Sequence, residues 1–126
     1  MTQVVDSSVV LAYLLDEPGG DVLMTGAGPF LLSSVNLTEV LTKLIDHDLN
    51  PDDMMLVLRQ LPIEHAVYDR DDARSAADLR PATRMKGLSL GDRACLALAR
   101  RRNVPVLTAD AVWTKLDIGV DIRLIR

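Results

Sequence analysis

With 126 residues, 48% hydrophobic and 25% charged, the chain has the size and composition of one ordinary globular domain, and we treat 1–126 as a single domain. A net charge of −4 is not the basic balance of a typical nucleic-acid-binding domain, and a single cysteine, Cys95, excludes an internal disulfide or a cysteine-rich zinc site. No apolar run approaches the roughly 20 residues that cross a bilayer, and no signal-peptide pattern opens the chain, so we expect a cytoplasmic protein.

Short β-rich runs alternate with helical patterns in the first half of the chain. The run Thr2–Val5 predicts a strand that ends at Asp6, and Ser7 or Ser8 is expected to cap the helix that follows. Apolar residues at helical spacing predict a further long helix, capped by Asn36. In order, we predict a strand at 2–5, helices at 7–15 and 21–25, a turn at 26–29, a strand at 30–33, and helices at 37–48 and 51–60.

The same alternation continues in the second half. In order, we predict a strand at 63–68, a helix at 71–79, a loop at 80–88, a helix at 89–102, a strand at 104–108, a short helix at 110–115 and a strand at 122–125. Strands that alternate with helices are typical of α/β proteins. The sequence therefore predicts a three-layer α/β/α domain with a mainly parallel central sheet.

Four acidic residues fall at corresponding ends of these elements. Asp6 and Asp110 follow predicted strands, whereas Glu39 and Asp92 lie in the first turns of predicted helices. In a parallel α/β sheet the carboxyl ends of strands and the amino ends of helices share one edge, where ligands bind. We therefore expect the four carboxylates to converge on one pocket.

Each of these acids has a simpler interpretation when it is taken alone. Residues 36–39 and 89–92 both match a capping box or its close variant, and acids are favoured at helix starts by the helix dipole. Asp6 and Asp110 could also be N-caps. As a set, the four acids favour a functional site over separate helix caps. Asp6 and Asp110 adjoin apolar strand residues, where a carboxylate is costly unless it is paired or bound to metal.

Crowded carboxylates favour a divalent cation, and a set of oxygen ligands suits Mg²⁺ or Mn²⁺ rather than zinc. The two histidines, His47 and His65, lie far from the proposed edge. Without a catalytic serine arrangement or a reactive cysteine, a metal-activated water is the best available nucleophile. Removing the four acids from the count leaves 14 acidic against 14 basic residues, so the net charge is compatible with a metallonuclease.

The residues at these positions resemble the PIN domain, and in particular the VapC-type toxins of bacterial toxin–antitoxin pairs. The resemblance covers nearly the whole chain, and the four acids occur in the family's order and spacing. It is carried by VDSSVVLAYL at 5–14, NLTEV at 36–40, LSLGDRACLALA at 88–99, and VLTAD at 106–110 with Trp113 following.

The resemblance implies an endoribonuclease that hydrolyses RNA phosphodiester bonds and leaves 5′-phosphate and 3′-hydroxyl ends. It makes Asp6, Glu39, Asp92 and Asp110 the metal-binding residues for Mg²⁺ or Mn²⁺. Thr108, two residues before the last acid, becomes a further catalytic candidate that orients metal-bound water or substrate. Ser7 and the basic residues Arg84, Lys86 and Arg93 are accessory candidates, the last three as phosphate contacts.

The resemblance also implies partners, namely a homodimer and a cognate VapB-type antitoxin that blocks the acidic pocket. The helices around 9–15 and 54–58 could offer a groove for it, or could simply pack on the sheet. A receiver or haloacid-type phosphatase is disfavoured, because Asp6 is followed by two serines rather than by a second acid. The remaining alternative is a catalytically silent PIN-like protein-binding module, against which the presence of all four acids argues.

Overall fold

Five short strands form one parallel sheet in a computed structural model, which describes residues 1–26 and 28–126. Every neighbouring pair of strands is parallel, in the spatial order β3-β2-β1-β4-β5. The predicted mainly parallel sheet is thus confirmed. The strands are β1 (Gln3–Val5), β2 (Phe30–Ser33), β3 (Ile63–Ala66), β4 (Val106–Thr108) and β5 (Ile122–Leu124).

Helices follow the strands throughout the described part of the chain. In order they are α1 (Ser7–Leu14), α2 (Val22–Thr25), α3 (Ser34–Asp46), α4 (Pro51–Arg59), α5 (Arg70–Asp78), α6 (Arg80–Thr83) and α7 (Leu90–Arg102), with 3-10 helices at Arg84–Lys86 and Ala111–Lys115. None of the helices among residues 1–26 and 28–126 is long and apolar enough to cross a membrane.

Two hydrophobic cores lie on opposite faces of the sheet, which gives the three predicted layers. Successive strand residues alternate between them: Val4 and Leu31 join the core under α5 and α7, whereas Val5 and Leu32 join the core under α1 to α4. This alternation follows from the two-residue period of a strand. The central strands are apolar on both faces, as expected for a parallel sheet covered by helices.

The structure corrects two predicted helix caps. Asp6 rather than Ser7 or Ser8 caps α1, because the carboxylate accepts the Ser7 N–H at 2.8 Å. Ser33 rather than Asn36 caps α3, which therefore begins three residues earlier than predicted. Helix-capping side chains are common in both stretches, so spacing alone could not choose between neighbouring candidates.

The predicted loop at 80–88 is wrong, because α6 and a 3-10 helix occupy most of it. Pro81 lies in the first turn of α6, where a missing N–H costs little, and Gly87 ends the helical stretch with a φ of 70°. The predicted strands are otherwise up to two residues too long at their ends. The predicted turn at 26–29 includes Ala27, which lies outside the described residues.

Candidate active site

Asp6 lies at the carboxyl edge of the sheet, directly after the central strand β1. Its side chain is buried, and its backbone N–H donates to the Leu107 carbonyl on β4. Asp6 Oδ2 accepts hydrogen bonds from Ser8 Oγ at 2.8 Å and from Thr108 Oγ1 at 3.0 Å, while Oδ1 accepts the Ser7 N–H. The carboxylate is therefore held by three short hydrogen bonds from neutral donors.

The electrostatic environment of Asp6 reveals two acidic neighbours. Burial is the main cause that raises the pKa of Asp6 from 3.8 to about 6, and the charges of Asp92 and Glu39 raise it further, against the opposing hydrogen bonds from Ser8 and Thr108. The charges of Glu39 on α3 and Asp92 on α7 thus act on Asp6 at the sheet edge. The convergence of all four acids on one pocket stays a prediction.

Glu39 lies in the second turn of α3, because that helix begins earlier than predicted. Its Oε1 accepts a hydrogen bond of 2.8 Å from the amide of Asn36, one turn before it. Asn36 is fully buried, and the same amide nitrogen donates to the carbonyl of Gly91 on α7 at 3.0 Å. Glu39 is therefore held between α3 and the first turn of α7.

Asp92 serves as the third residue of a capping box at the start of α7. Its Oδ2 accepts the Ser89 N–H at 2.9 Å, and its own N–H donates to Ser89 Oγ at 3.2 Å. The capping interpretation is therefore confirmed for this residue, and its charge also acts on Asp6. The analogous capping box proposed at 36–39 is wrong, because Asn36 contacts Glu39 through its side-chain amide inside the helix.

Asp110 is exposed, and in the described part of the chain its hydrogen-bond connection to Asp6 runs through Thr108. Its Oδ1 caps the 3-10 helix Ala111–Lys115 by accepting the Val112 N–H at 3.0 Å. Its N–H donates to Thr108 Oγ1 at 3.1 Å, and that same hydroxyl donates to Asp6. Thr108 is buried at the end of β4, so one hydroxyl links the two acidic residues of the neighbouring strands.

The chemistry of these groups fits a divalent cation. Three carboxylates share one region, one of them is buried without a basic partner among its hydrogen bonds, and oxygen donors suit Mg²⁺ or Mn²⁺. Among residues 1–26 and 28–126, however, no three His, Cys, Asp or Glu side chains are placed to hold one ion together. Asp92 and Asp110 each direct one oxygen to a helix N–H instead.

Cys95 lies in α7 and is fully buried. Burial raises the pKa of its thiol well above the usual range, and the charges of Asp6, Asp92 and Glu39 raise it further. The thiol is therefore protonated and unreactive at neutral pH.

Other sequence candidates lie away from the cluster or are engaged elsewhere. His47 caps the carboxyl end of α3 and His65 is exposed on the edge strand β3. Arg93, a predicted phosphate contact, donates to the Ala76 carbonyl at 3.2 Å and so packs against α5 instead. Arg84 and Lys86 are exposed in the 3-10 helix just before α7, as a phosphate contact requires.

Two residues of the site were not recognised as such from the sequence. The Ser8 hydroxyl donates to Asp6 and accepts the Ala109 N–H at 3.0 Å, so it joins α1 to the segment after β4. Gly91 lies against the Glu39 carboxylate. The glycine inside a helical pattern was the available signal, because such a glycine often marks a close approach.

A parallel α/β sheet that carries acidic residues at its carboxyl edge is the arrangement expected of a PIN domain. The chain belongs to the PIN domain family. Its sequence matches that family over residues 4–119. The fold and the family predicted from the resemblance are thereby confirmed. No curated protein sequence gives a significant match to the chain.

Several solved toxin structures share this fold over nearly their whole length. A toxin–antitoxin complex from Klebsiella pneumoniae is 16% identical with a TM-score of 0.75, covering 98% of both chains. DNA-bound VapBC from Salmonella typhimurium is 17% identical with a TM-score of 0.75, covering 100% of both. VapC20 from Mycobacterium tuberculosis, described as a sarcin-ricin loop cleaving toxin, is 14% identical with a TM-score of 0.72, covering 96% of this chain and 99% of that one. At these identities the likeness is one of fold.

Proposed function

We propose that the chain is a single-domain endoribonuclease that depends on Mg²⁺ or Mn²⁺ and acts in the cytoplasm as the toxin of a VapBC-type toxin–antitoxin pair. The observation that carries the proposal is the burial of Asp6 among Glu39 and Asp92 at the carboxyl edge of the sheet. A buried carboxylate beside two like charges is unfavourable unless a cation neutralises it. Family membership supports nuclease chemistry for such a site.

Asp6, Glu39, Asp92 and Asp110 would hold the ion. A divalent ion supplies Lewis-acid stabilisation of a phosphoryl oxygen and a bound water of lowered pKa. Asp92 and Asp110 each use one oxygen for a helix cap, which leaves the other carboxylate oxygen to turn toward the ion. Each cap would thus orient its side chain without using both carboxylate oxygens.

Thr108 and Ser8 orient the Asp6 carboxylate from two sides. Both hydroxyls donate to Oδ2, and each also accepts a backbone N–H from the segment after β4. Because each hydroxyl proton is committed to Asp6, the carboxylate keeps one orientation when its charge is neutralised. Thr108 thus acts as a positioning group for Asp6 and for the backbone of Asp110.

The distribution of charge supports RNA binding despite the net charge of −4. Residues 70–102 contain nine basic and four acidic residues, a formal charge of +5, whereas residues 1–69 contain two basic and eleven acidic residues, a formal charge of −9. The basic segment forms α5 to α7 on one face of the sheet, and its exposed residues Arg84 and Lys86 lie in the 3-10 helix that precedes α7 and Asp92. That face is where we place the RNA backbone.

The proposed partners are a VapB-type antitoxin and a second copy of the chain. Similarly folded toxins were crystallised in complexes named toxin–antitoxin or VapBC, which supports this part of the proposal. Helix α1 packs its valines into the core, so it offers little of the suggested groove. Helix α4 leaves Leu56 exposed on the same face of the sheet, where a partner helix could cover it.

The test is RNA cleavage by the purified chain, free of any partner, on a panel of structured RNAs. We expect cleavage with Mg²⁺ or Mn²⁺, loss of cleavage in EDTA, and a loss of at least about 100-fold in Asp6→Asn, the scale on which removing a group from an electrostatic site acts. Asp117→Asn, an exposed acid outside the cluster, is the matched control and should cleave like the wild type.

The same experiment decides against the second candidate, the silent PIN-like binding module. That module would cleave no RNA and would bind no Mn²⁺ in a calorimeter. Such a result would leave Asp6, Asp92 and Asp110 with capping roles only, and Glu39 as a hydrogen-bond partner of Asn36. Cleavage that persists in EDTA, or that survives Asp6→Asn, would exclude the acidic cluster as the active site.

A further inference from the structure

Asn36 is a buried polar residue at a position where stability of the fold does not require a polar side chain. Its side chain is fully buried, and its amide nitrogen donates to Glu39 Oε1 and to the Gly91 carbonyl at 2.8 and 3.0 Å. Its own Oδ1 is buried without a hydrogen-bond partner in the described part of the chain. A buried acceptor without a partner weakens folding, so an apolar residue of similar size would serve stability better.

Gly91 shows a complementary restriction on the other side of Glu39. A Cβ atom at position 91 would come within 3.0 Å of all three atoms of the Glu39 carboxylate group. Real Cβ atoms do not approach other atoms so closely, so only glycine leaves room for the carboxylate at this place. Gly91 also lies inside α7, where glycine is otherwise the least favourable residue apart from proline.

The two residues hold Glu39 against the turn that carries Asp92. Gly91 directly precedes Asp92, and Asn36 is one helical turn before Glu39. One amide group therefore joins the second acid of the cluster to the backbone beside the third. The distance between the two carboxylates is set by this bridge and by the missing side chain at position 91, rather than by the flexible Glu39 side chain itself.

We propose that Asn36 and Gly91 are positioning residues for Glu39, which fix its carboxylate for a divalent ion at the site. This inference rests on the proposed function for its biological meaning, although Mn²⁺ binding tests it separately. Groups that orient a metal ligand change metal affinity by about 10- to 100-fold when they are removed. Both residues should therefore affect Mn²⁺ affinity more than they affect stability.

The sharpest variant is Gly91→Ala. The added methyl group displaces the end of a flexible side chain, so Glu39 can swing away without movement of the backbone, and alanine favours a helix more than glycine does. We expect a melting temperature equal to or above that of the metal-free wild type. We also expect Mn²⁺ affinity, measured by calorimetry, to fall by about tenfold or more.

Asn36→Leu provides the second variant, because it removes the amide and its unpartnered oxygen while keeping a side chain that branches at Cγ. It should keep a wild-type melting temperature within a few degrees and also lose about tenfold in Mn²⁺ affinity. The matched control is Thr83→Val, which removes a buried hydroxyl that donates to the Leu79 carbonyl and not to any of the four acids. That variant should bind Mn²⁺ like the wild type.

A double-mutant cycle assigns the effect to Glu39. In a Glu39→Ala background, Gly91→Ala should change Mn²⁺ affinity less than twofold, because the displaced carboxylate is already gone.

The outcomes separate the positioning role from the proposed function. If Gly91→Ala binds Mn²⁺ like the wild type, the positioning role is overturned. If the wild type still cleaves RNA in that case, the proposed function stands. A wild type that binds Mn²⁺ more tightly than both variants, yet cleaves no RNA, would support the positioning role and contradict the nuclease. A wild type that binds no Mn²⁺ would overturn both.

Discussion

Asp6 is a buried acid, and in the described part of the chain its hydrogen bonds come from neutral donors, namely the Ser7 N–H and the hydroxyls of Ser7, Ser8 and Thr108. These bonds partly offset burial and the charges of Asp92 and Glu39, but the net result is still a raised pKa. Without a bound cation, Asp6 therefore ionises near pH 6 rather than near pH 3.8. A nearby divalent ion would favour its charged form and lower this pKa.

The raised pKa of Asp6 gives a stability prediction for the metal-free protein. The folded chain binds this proton more tightly than the unfolded chain, since the pKa is about 6 in one and near 3.8 in the other. The stabilising contribution is therefore complete below pH 3.8, falls as the pH rises toward 6, and is absent above it. At about 1.4 kcal/mol per pKa unit, the loss between pH 4 and pH 7 is about 2 kcal/mol.

Asp6→Asn cannot ionise and should escape this loss. We expect the free energy of unfolding of the variant, relative to the wild type, to rise by about 2 kcal/mol between pH 4 and pH 7 in EDTA. Urea unfolding at several pH values measures it, and Asp117→Asn controls for the removal of any one charge. A difference between Asp6→Asn and the wild type that is independent of pH would contradict the raised pKa.

The four acids could be found from the sequence because each stands at a strand end or near a helix start, which the local pattern shows. The same dependence on local pattern made the prediction for Asn36 wrong. An Asn three residues before a Glu matches a capping signature, so Asn36 was predicted to cap α3. Its actual partners are one turn away on α3 and 55 residues away on α7. A contact between residues that distant cannot be read from local spacing.

At the scale of elements, strands and long helices follow the apolar pattern, whereas the link between α5 and α7 does not. The segment 80–86 has little apolar periodicity, so the sequence predicts a loop there although the segment is mostly helical. Arg101 lies in the last turn of α7 and is paired with Asp72 of α5, a residue whose side chain is only 10% exposed.

The Arg101–Asp72 ion pair should stabilise the packing of α5 against α7. Arg101→Ala would leave the Asp72 carboxylate nearly buried without its cation, and we expect a loss of about 2 kcal/mol in the free energy of unfolding, reduced from the fully buried case because Arg101 is 39% exposed. Arg102→Ala, an exposed neighbour, should change stability by less than about 0.5 kcal/mol. Equal losses in both variants would show that the pair contributes nothing specific.

At the scale of the whole molecule, the sheet separates a basic face from an acidic one. Helices α1 to α4 belong to the segment of charge −9, and α5 to α7 to the segment of charge +5. The net charge of −4 conceals this division, which explains why composition alone argued against a nucleic-acid ligand. A polyanion that approached the pocket over the acidic face would be repelled, so the basic face is the favoured route.

This division predicts which basic residues matter for RNA. Arg84→Ala with Lys86→Ala should weaken RNA binding and cleavage, mainly through KM, because both exposed side chains lie just before α7 on the basic face. The slope of log affinity against log salt should fall by about 0.7 to 0.9 for each phosphate that is no longer neutralised. Mn²⁺ affinity should not change, because neither residue belongs to the acidic cluster.

The matched control removes the two basic residues of the acidic face, Lys43 and Arg59, which are also exposed. Lys43→Ala with Arg59→Ala alters the net charge by the same amount, so any general electrostatic effect on RNA appears in both double variants. Fluorescence anisotropy with a labelled RNA over a range of salt concentrations measures the two slopes. If both double variants reduce the slope equally, total charge rather than the basic face governs binding, and RNA is not held by α5 to α7.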